Sequence, residues 1–258
     1  MADNKEKKGG SPVLIIIVVL VAASALGWWL YNGSSKSGSS GQRVPSPNSQ
    51  AKPAATIPPN APPGAQPPNQ FGSPTAVVTI EEFADFQCGS CAVAFPILNE
   101  IKTMYGSRIH FIYRSFPLPM HDKSYDAAVG AEAAGMQGKF WEMHAQLFQN
   151  QKNWQASTNF RPVLEEYASK IGLNVEKFKQ DMAELTAKKR VDDDIARAKA
   201  LSINSTPTIF INGVQVAFTD VNVQGLKAII DGEFAKQAAS QSSNGAAPAA
   251  GNAANGQK

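Results

Sequence analysis

The 258-residue chain has only two cysteines, Cys88 and Cys91, separated by two residues in the stretch FADFQCGSC. They follow AVVTIEEF, an apolar and β-branched run typical of a buried strand. They precede FPILNEIKTMYG, in which apolar residues recur at helical spacing. A C-x-x-C pair between a strand and a helix fits a redox pair, half of a zinc site or an inert disulfide. Other parts of the chain must decide between these.

The elements around the cysteines predict an α/β domain over residues 75–237. A second strand candidate, RIHFIYRSF, alternates Ile109, Phe111 and Tyr113 with His110, Ile112 and Arg114. Helical patterns then fill about residues 120–200, separated by Gly, Asn and Ser. Two apolar runs around Asn212-Gly213 predict a β-hairpin, and VQGLKAIIDGEF predicts a closing helix. The order is strand, helix, strand, inserted helices, two strands and a helix.

The N-terminal part predicts a transmembrane signal-anchor helix at residues 13–31, which carry no charge and end in an aromatic cluster. As a helix they would span ~28 Å, close to the thickness of a bilayer core. Lysines in residues 1–12 predict a short cytoplasmic N-terminus, with the remaining chain in the bacterial periplasm or at the cell-envelope exterior. Cleavage near Ala23-Ser24-Ala25, as in a signal peptide, is the alternative and would give a secreted form.

Two segments have compositions that predict disorder. Residues 32–74 are rich in Gly, Ser, Asn, Gln and Pro and read as a linker, and residues 238–258 read as a tail. Such segments bury too little apolar surface to offset the entropy of ordering. We therefore expect one folded domain, tethered to the membrane and monomeric.

Charge and histidine content exclude two classes of function. The 24 basic and 21 acidic side chains give a net charge of +3, and no basic block is interleaved with aromatic residues, so we expect no nucleic-acid partner. Zinc normally takes four ligands, whereas this chain offers one cysteine pair and the scattered His110, His121 and His144. We expect no metal.

The position of Cys88 at the start of a helix favours its thiolate. Unpaired backbone N–H groups and the positive end of the helix dipole would face its sulfur. A lowered pKa makes a cysteine more ionised and a better leaving group. Cys91, one turn later, would be placed to attack a mixed disulfide on Cys88, while Gly89 and Ser90 leave the approach sterically open.

Four separated motifs, EFADFQCGSC, RSFPLP, QGKFWEMHAQLF and STPTIFINGV, together resemble the DsbA-like thiol–disulfide oxidoreductases of the thioredoxin superfamily. The resemblance covers residues 73–234 and implies a thioredoxin-like fold with an inserted helical subdomain. It also implies that Cys88 is the exposed attacking cysteine and Cys91 the buried resolving one. Pro207 would be the cis-proline opposite them, with the Thr206 backbone binding substrate, and Glu82 would transfer a proton to or from Cys91.

The resemblance implies an enzyme that forms disulfides in exported polypeptides bearing free thiols. It would use no cofactor beyond the Cys88–Cys91 disulfide and would be reoxidised by a membrane protein of the DsbB or vitamin-K-epoxide-reductase type. Gly89, Ser90, Thr206 and Pro207 would contact substrate. The family's oxidants commonly carry Pro and His between the cysteines, so Gly89-Ser90 predicts a less oxidising pair. The alternatives are a reductase or isomerase using the same site and a non-catalytic thioredoxin-like binding module.

Overall fold

The computed structural model describes residues 54–244. The predicted N-terminus of residues 1–12, the predicted anchor of residues 13–31, the first part of the predicted linker and the end of the predicted tail lie outside the described residues. Between residues 54 and 244, no helix combines the length and the apolar character needed to cross a bilayer.

A five-stranded mixed sheet, with strand order β1-β3-β2-β4-β5, lies at the centre of the domain. Its strands are β1 (Asn69–Gly72), β2 (Val78–Ala84), β3 (Ile109–Ser115), β4 (Thr208–Ile211) and β5 (Val214–Gln215). β2 and β3 run parallel, and the other neighbours run antiparallel. The hairpin predicted around Asn212 and Gly213 is confirmed, since both residues adopt the positive φ angles (47° and 78°) that its tight turn needs.

Helices connect and cover the strands. They are α1 (Gly89–Tyr105), α2 (Ser124–Gly135), α3 (Phe140–Gln149), α4 (Gln151–Ala156), α5 (Phe160–Lys170), α6 (Val175–Ala183), α7 (Leu185–Ala200) and α8 (Val223–Asn244). α1 makes the crossover that the parallel strands β2 and β3 require. Helices α2 to α7 all lie between β3 and β4, so the thioredoxin-like α/β order predicted from the sequence is confirmed.

The alternation predicted for β3 does not separate a core face from a solvent face, because every residue of this strand is buried. Phe111 and Tyr113 contact aromatic rings of α3 on one face. On the other face, Arg114 reaches α7 and the segment before β1, where it binds Asp194 and the carbonyl of Ala65. Arg114 is therefore buried beneath a second layer.

Arg114 belongs to a buried ion network that joins this second layer to the sheet. Its Nε lies 2.7 Å from Oε1 of Glu81. The Glu81 carboxylate also accepts two hydrogen bonds from Arg197, one at each oxygen. Asp194 accepts from the backbone N–H groups of Ala65 and Ser115 at 2.8 and 3.0 Å. Each of these charges has an opposite charge or a hydrogen-bond donor, as burial of an ion requires.

The folded domain begins well before the predicted boundary at Pro74. The backbone of residues 55–57 pairs with the β5 edge through the Thr56–Val214 bridge and two backbone hydrogen bonds. β1 falls within residues 32–74, and Arg190 binds the carbonyl oxygens of Gln66 and Pro67. Composition pointed to disorder because this segment has few apolar residues, whereas its order comes from backbone groups that any residue carries.

The C-terminal boundary also differs from the prediction. Helix α8 continues through Asn244, so the first seven residues of the predicted tail of residues 238–258 are helical. These residues have small or polar side chains such as Ala and Ser, which do not interrupt a helix already established over its first turns.

Candidate active site

Cys88 lies at the junction where β2 passes into α1, as the sequence predicts. It occupies the N-cap position of α1 with extended backbone angles, φ −72° and ψ 125°. Cys91 follows within the first turn of the helix. Both cysteines are free, so the structure describes the dithiol form of the pair. Backbone N–H groups at the start of a helix have no partner within it, which leaves them available to a sulfur at the N-cap.

The pKa of Cys88 is lowered from 9.0 to about 5. The largest cause is a hydrogen bond with the side chain of Cys91, while burial of the sulfur acts in the opposite direction. The Thr206 side chain and the backbone N–H groups of Cys91 and Ser90 lower this pKa further. Cys88 is therefore a thiolate at neutral pH, but the thiol of Cys91 contributes more to this than the helix N–H groups on which the sequence-based prediction rested.

Cys91 has the opposite character. It is fully buried, and this burial raises its pKa well above the usual value. Its hydrogen bond to Cys88 and the negative charges of Cys88 and Glu82 raise the pKa further. In the reduced pair, one sulfur is thus an anion and the other holds its proton and donates it to its neighbour.

Cys88 is less exposed than predicted, with only 8% of its surface accessible. The chain before β4 packs against it, so that its sulfur lies 3.4 Å from the carbonyl oxygen of Thr206. Gly89 and Ser90 are exposed beside it, and a Cβ placed on Gly89 would meet no atom within 4 Å. Access to the sulfur is therefore from the side of these two small residues.

Thr206 and Pro207 lie opposite the cysteines, as the resemblance implies, and the bond between them is cis. Pro207 and Ser90 share an apolar groove of about 260 Å³. Its other lining residues are Val93, Ala94, Ile97, Phe218 and Val221. Val93 and Phe218 are 67% and 68% exposed, which is unusual for large apolar side chains beside a polar site.

Glu82 lies on β2, two residues before the strand ends, and is only 3% exposed. The carboxyl group of Glu82 is therefore shielded from solvent, although it lies near the end of its strand. Burial raises the pKa of Glu82 to about 8, and the positive charge of Lys102 opposes this rise. When ionised, this carboxyl group in turn raises the pKa of the buried Cys91 thiol.

Lys102 is a charged neighbour of the site that the sequence analysis missed. Its Nζ lies 4.6 Å from the ring centroid of Trp141 and within 6 Å of the centroids of Phe71 and Phe111. Burial lowers the pKa of Lys102, whereas the charge of Glu82 raises it. The sequence gives no signal for this role, because Lys102 follows the polar residues Asn99 and Glu100 on the same helix, and a lysine in such a place is usually solvated.

Asp85 was also missed, although it stands three residues before Cys88. Its buried carboxylate accepts hydrogen bonds from the backbone N–H groups of Gln87 and Leu118 at 2.7 and 2.8 Å. His121 Nδ1 lies 2.6 Å from the same carboxylate. Asp85 thus connects the turn before Cys88 to the loop that follows β3.

In the described part of the chain, no three His, Cys, Asp or Glu side chains lie together as a metal site would require.

Comparison with known proteins identifies a family for this arrangement. The family model described as thioredoxin matches residues 66–232. A curated relative, the Na(+)/H(+) antiporter NhaA 1 of Mycolicibacterium gilvum, is 37% identical over 145 residues, which are 55% of this chain and 23% of the antiporter. The chain thus spans about a quarter of the length of the curated relatives it matches.

Solved structures show the same fold. A thioredoxin-like oxidoreductase from Silicibacter pomeroyi DSS-3 has a TM-score of 0.54 and 26% identity, covering 67% of this chain and 92% of that one. Oxidised BdbD from Bacillus subtilis has a TM-score of 0.58 and 23% identity, covering 70% and 98%. The match to the family model includes both cysteines, Glu82 and the Thr206–Pro207 bond. The chain belongs to the thioredoxin family.

Proposed function

We propose that this protein is a thiol–disulfide oxidoreductase that forms disulfide bonds in exported polypeptides through Cys88 and Cys91. One arrangement carries the proposal: Cys88 caps α1 opposite the cis Thr206–Pro207 bond, and Cys91 is fully buried one turn later. The two thiols accordingly differ, with the pKa of Cys88 lowered to about 5 and that of Cys91 raised. An inert structural disulfide needs no such asymmetry. A redox pair needs it, because the accessible sulfur must leave readily and the buried one must hold a proton.

In the proposed reaction, a substrate thiolate attacks the sulfur of Cys88 in the Cys88–Cys91 disulfide. The S–S bond breaks with its electron pair on Cys91, which takes up a proton. A second substrate thiolate then attacks the substrate sulfur of the mixed disulfide, and Cys88 leaves as a thiolate. The substrate is oxidised by two electrons and the protein is reduced by two. The similarity to a thioredoxin-like oxidoreductase from Silicibacter pomeroyi supports this chemistry.

Glu82 is suited to supply the proton that Cys91 takes up. Because its pKa is raised to about 8, this carboxyl group is largely protonated at neutral pH. A proton donor works best when its pKa lies near the operating pH. After donation, the negative Glu82 is stabilised by the charge of Lys102. The same group would take the proton back when the disulfide is formed again.

The low pKa of Cys88 supports the oxidising direction. A thiolate stabilised only in the reduced protein favours reduction of the Cys88–Cys91 bond, which makes the disulfide a stronger oxidant of substrates. The sequence predicts a less oxidising pair because Gly89-Ser90 supplies no positive neighbour. Hydrogen bonds from Cys91, Thr206 and the backbone lower the pKa of Cys88 without one.

The apolar groove beside Pro207 is the proposed contact surface for substrate. It would take apolar side chains flanking a substrate cysteine, while an extended substrate backbone pairs with the chain at Thr206. Unfolded polypeptides carry such side chains in varied sequences. An exposed apolar groove suits a partner that is recognised by its unfolded state rather than by one motif.

We place the catalytic domain outside the cytoplasm, in the bacterial periplasm or at the cell-envelope exterior, held by residues 13–31. The uncharged run with its aromatic end supports this placement. Reoxidation of the dithiol by a membrane redox partner of the DsbB or vitamin-K-epoxide-reductase type completes the proposal. Ion transport by the antiporter relatives is not carried over, since this chain matches only about a quarter of their length.

The decisive experiment equilibrates the full chain, in detergent, with glutathione buffers of graded ratio. We expect a potential closer to the about −120 mV of DsbA than to the about −270 mV of thioredoxin. A value near that of thioredoxin would support a reductase instead. The Cys88→Ser variant should fail to oxidise a reduced multi-cysteine protein, while Cys91→Ser should accumulate mixed disulfides. Full activity of the Cys88→Ser variant would contradict the enzyme proposal and favour the alternative of a non-catalytic binding module.

A further inference from the structure

Gln151, at the start of α4, reaches from the helical insertion to the turn that carries Cys88. Its side chain is buried, with 8% of the residue exposed. Its Nε2 donates one hydrogen bond to the carbonyl oxygen of Phe86 at 2.8 Å and another to that of Cys88 at 2.9 Å. Both hydrogens of the amide are therefore used on the two carbonyl groups that flank Gln87.

A second amide from α4 binds the carbonyl between them. Gln155 Nε2 donates to the oxygen of Gln87 at 2.8 Å, and the backbone oxygen of Gln155 in turn accepts from Lys123 Nζ at 2.6 Å. Three consecutive carbonyl groups, those of residues 86–88, thus bind side chains of one short helix. The two amides differ in position, since only Gln151 binds the carbonyl of the reactive cysteine itself.

These carbonyl groups affect the stability of the Cys88 thiolate, because each oxygen carries a partial negative charge near the sulfur. An amide donor aimed at the oxygen offsets this charge and fixes the direction in which the carbonyl points. The oxygen of Cys88 also accepts the first helical bond, from Ala92 N at 3.2 Å. With that peptide held from two sides, the N–H groups of Ser90 and Cys91 stay directed at the sulfur.

We propose that Gln151 is a positioning residue for Cys88: by binding the carbonyl oxygens of Phe86 and Cys88, it holds the turn so that the first N–H groups of α1 face the sulfur. The proposal deepens the proposed function, on which its catalytic meaning rests. It assigns the helical insertion a part in setting the reactivity of the cysteine, in addition to covering the sheet.

A purely structural role for Gln151 makes a different prediction. Loss of two buried hydrogen bonds would then lower the stability of the fold and leave the ionisation of Cys88 unchanged. The titration of Cys88, followed by the ultraviolet absorbance of its thiolate, separates the two roles. Resistance to urea, measured on the same samples, reports the structural part.

The test uses the reduced full chain in detergent and three variants. Gln151→Leu keeps the approximate size and removes both donors, Gln151→Glu keeps the shape and places a carboxyl group against the two carbonyls, and Gln155→Leu is the matched control. We expect Gln151→Leu to raise the Cys88 midpoint so that the alkylation rate in mildly acidic solution falls about tenfold. Gln151→Glu should raise the midpoint at least as much, and Gln155→Leu much less.

An unchanged Cys88 midpoint in either Gln151 variant that folds overturns the proposal, whatever happens to its stability. An equal rise of the Cys88 midpoint in Gln155→Leu also overturns it, because any disturbance of α4 would then have the same effect as loss of Gln151. These outcomes are independent of the proposed function. That function fails if the wild-type chain oxidises no substrate, even when the Gln151 variants shift the titration as expected.

Discussion

The sulfur of Cys88 lies 3.4 Å from the backbone carbonyl oxygen of Thr206, a residue 118 positions later in the chain. The contact joins the start of α1 to the segment that enters β4, so the site forms only when the sheet has been assembled around β2. It also explains why Cys88 is mostly buried although its neighbours Gly89 and Ser90 are exposed. A carbonyl oxygen only accepts, so this contact shields the sulfur, whereas the donors that lower the pKa of Cys88 come from other groups, chiefly the side chain of Cys91.

The first prediction concerns the donor from Cys91. Reduced wild-type protein should show a thiolate midpoint at a pH of about 5, and Cys91→Ala should raise that midpoint, because the hydrogen bond from Cys91 is the largest cause of the low pKa of Cys88. Cys91→Ser retains a hydroxyl donor at the same place and should raise it less. Thiolate absorbance against pH gives all three values. Identical midpoints in the Ala and Ser variants would contradict the assignment.

The second prediction concerns the stability cost of Glu82. Its folded-state pKa is raised from 4.5 to about 8, so between these pH values the unfolded chain loses a proton that the folded protein keeps. Folding stability from this group is therefore fully present below pH 4.5 and is lost as the pH rises towards 8. Glu82→Gln should remove this dependence and stabilise the protein by at most ~3 kcal/mol at neutral pH.

Urea unfolding of wild type and Glu82→Gln at several pH values measures the effect. The gap between the two should widen from pH 4.5 upwards, and a gap independent of pH would show that Glu82 is not the titrating group. The same variant should slow substrate oxidation, because Cys91 loses its proton donor. Glu100→Gln, on the outer part of α1, is a matched control that should change neither property.

The sequence predicted those parts of the site that depend on residues close together in the chain. The junction at Cys88 follows from a strand run next to a helical run, and the hairpin follows from Asn212-Gly213 between two apolar segments. Gln151 lies 63 residues from Cys88 on a six-residue helix. Nothing in its neighbourhood marks a glutamine whose two amide hydrogens meet carbonyl groups of another element.

The order of residues 54–74 was missed for a related physical reason. Hydrophobic patterns in a sequence indicate which side chains are buried in an apolar core. This segment is instead bound through hydrogen bonds to its backbone groups. Arg197 Nη1 donates to the oxygen of Pro62, and Asp194 accepts from Ala65 N. Any residue type offers such groups, so composition does not distinguish a bound segment from a free one. The arginines and aspartate that bind it lie far along the chain.

The third prediction tests this segment directly. A chain beginning at residue 75, the predicted domain start, should be less stable to urea than one beginning at residue 54, by more than ~3 kcal/mol. Removal of residues 54–74 deletes β1 from the sheet and takes carbonyl partners from Arg114 and Arg197. Equal urea midpoints for the two chains would show that the segment contributes nothing to the fold.

The last prediction concerns the groove beside the cysteines. Phe218→Ser removes a large, exposed apolar surface from the proposed substrate contact without touching either sulfur. We expect KM for a cysteine-containing unfolded polypeptide to rise about tenfold, since burying an aromatic side chain stabilises a complex by ~1.5–3 kcal/mol when complete. The Cys88 thiolate midpoint should stay at that of the wild type.

Leu185→Ser is the matched control for Phe218→Ser, because Leu185 is 80% exposed but lies on α7, beside a different cavity. A rise in KM for Leu185→Ser equal to that for Phe218→Ser would show that substrate responds to surface apolarity in general, and the groove would then lose its assigned role.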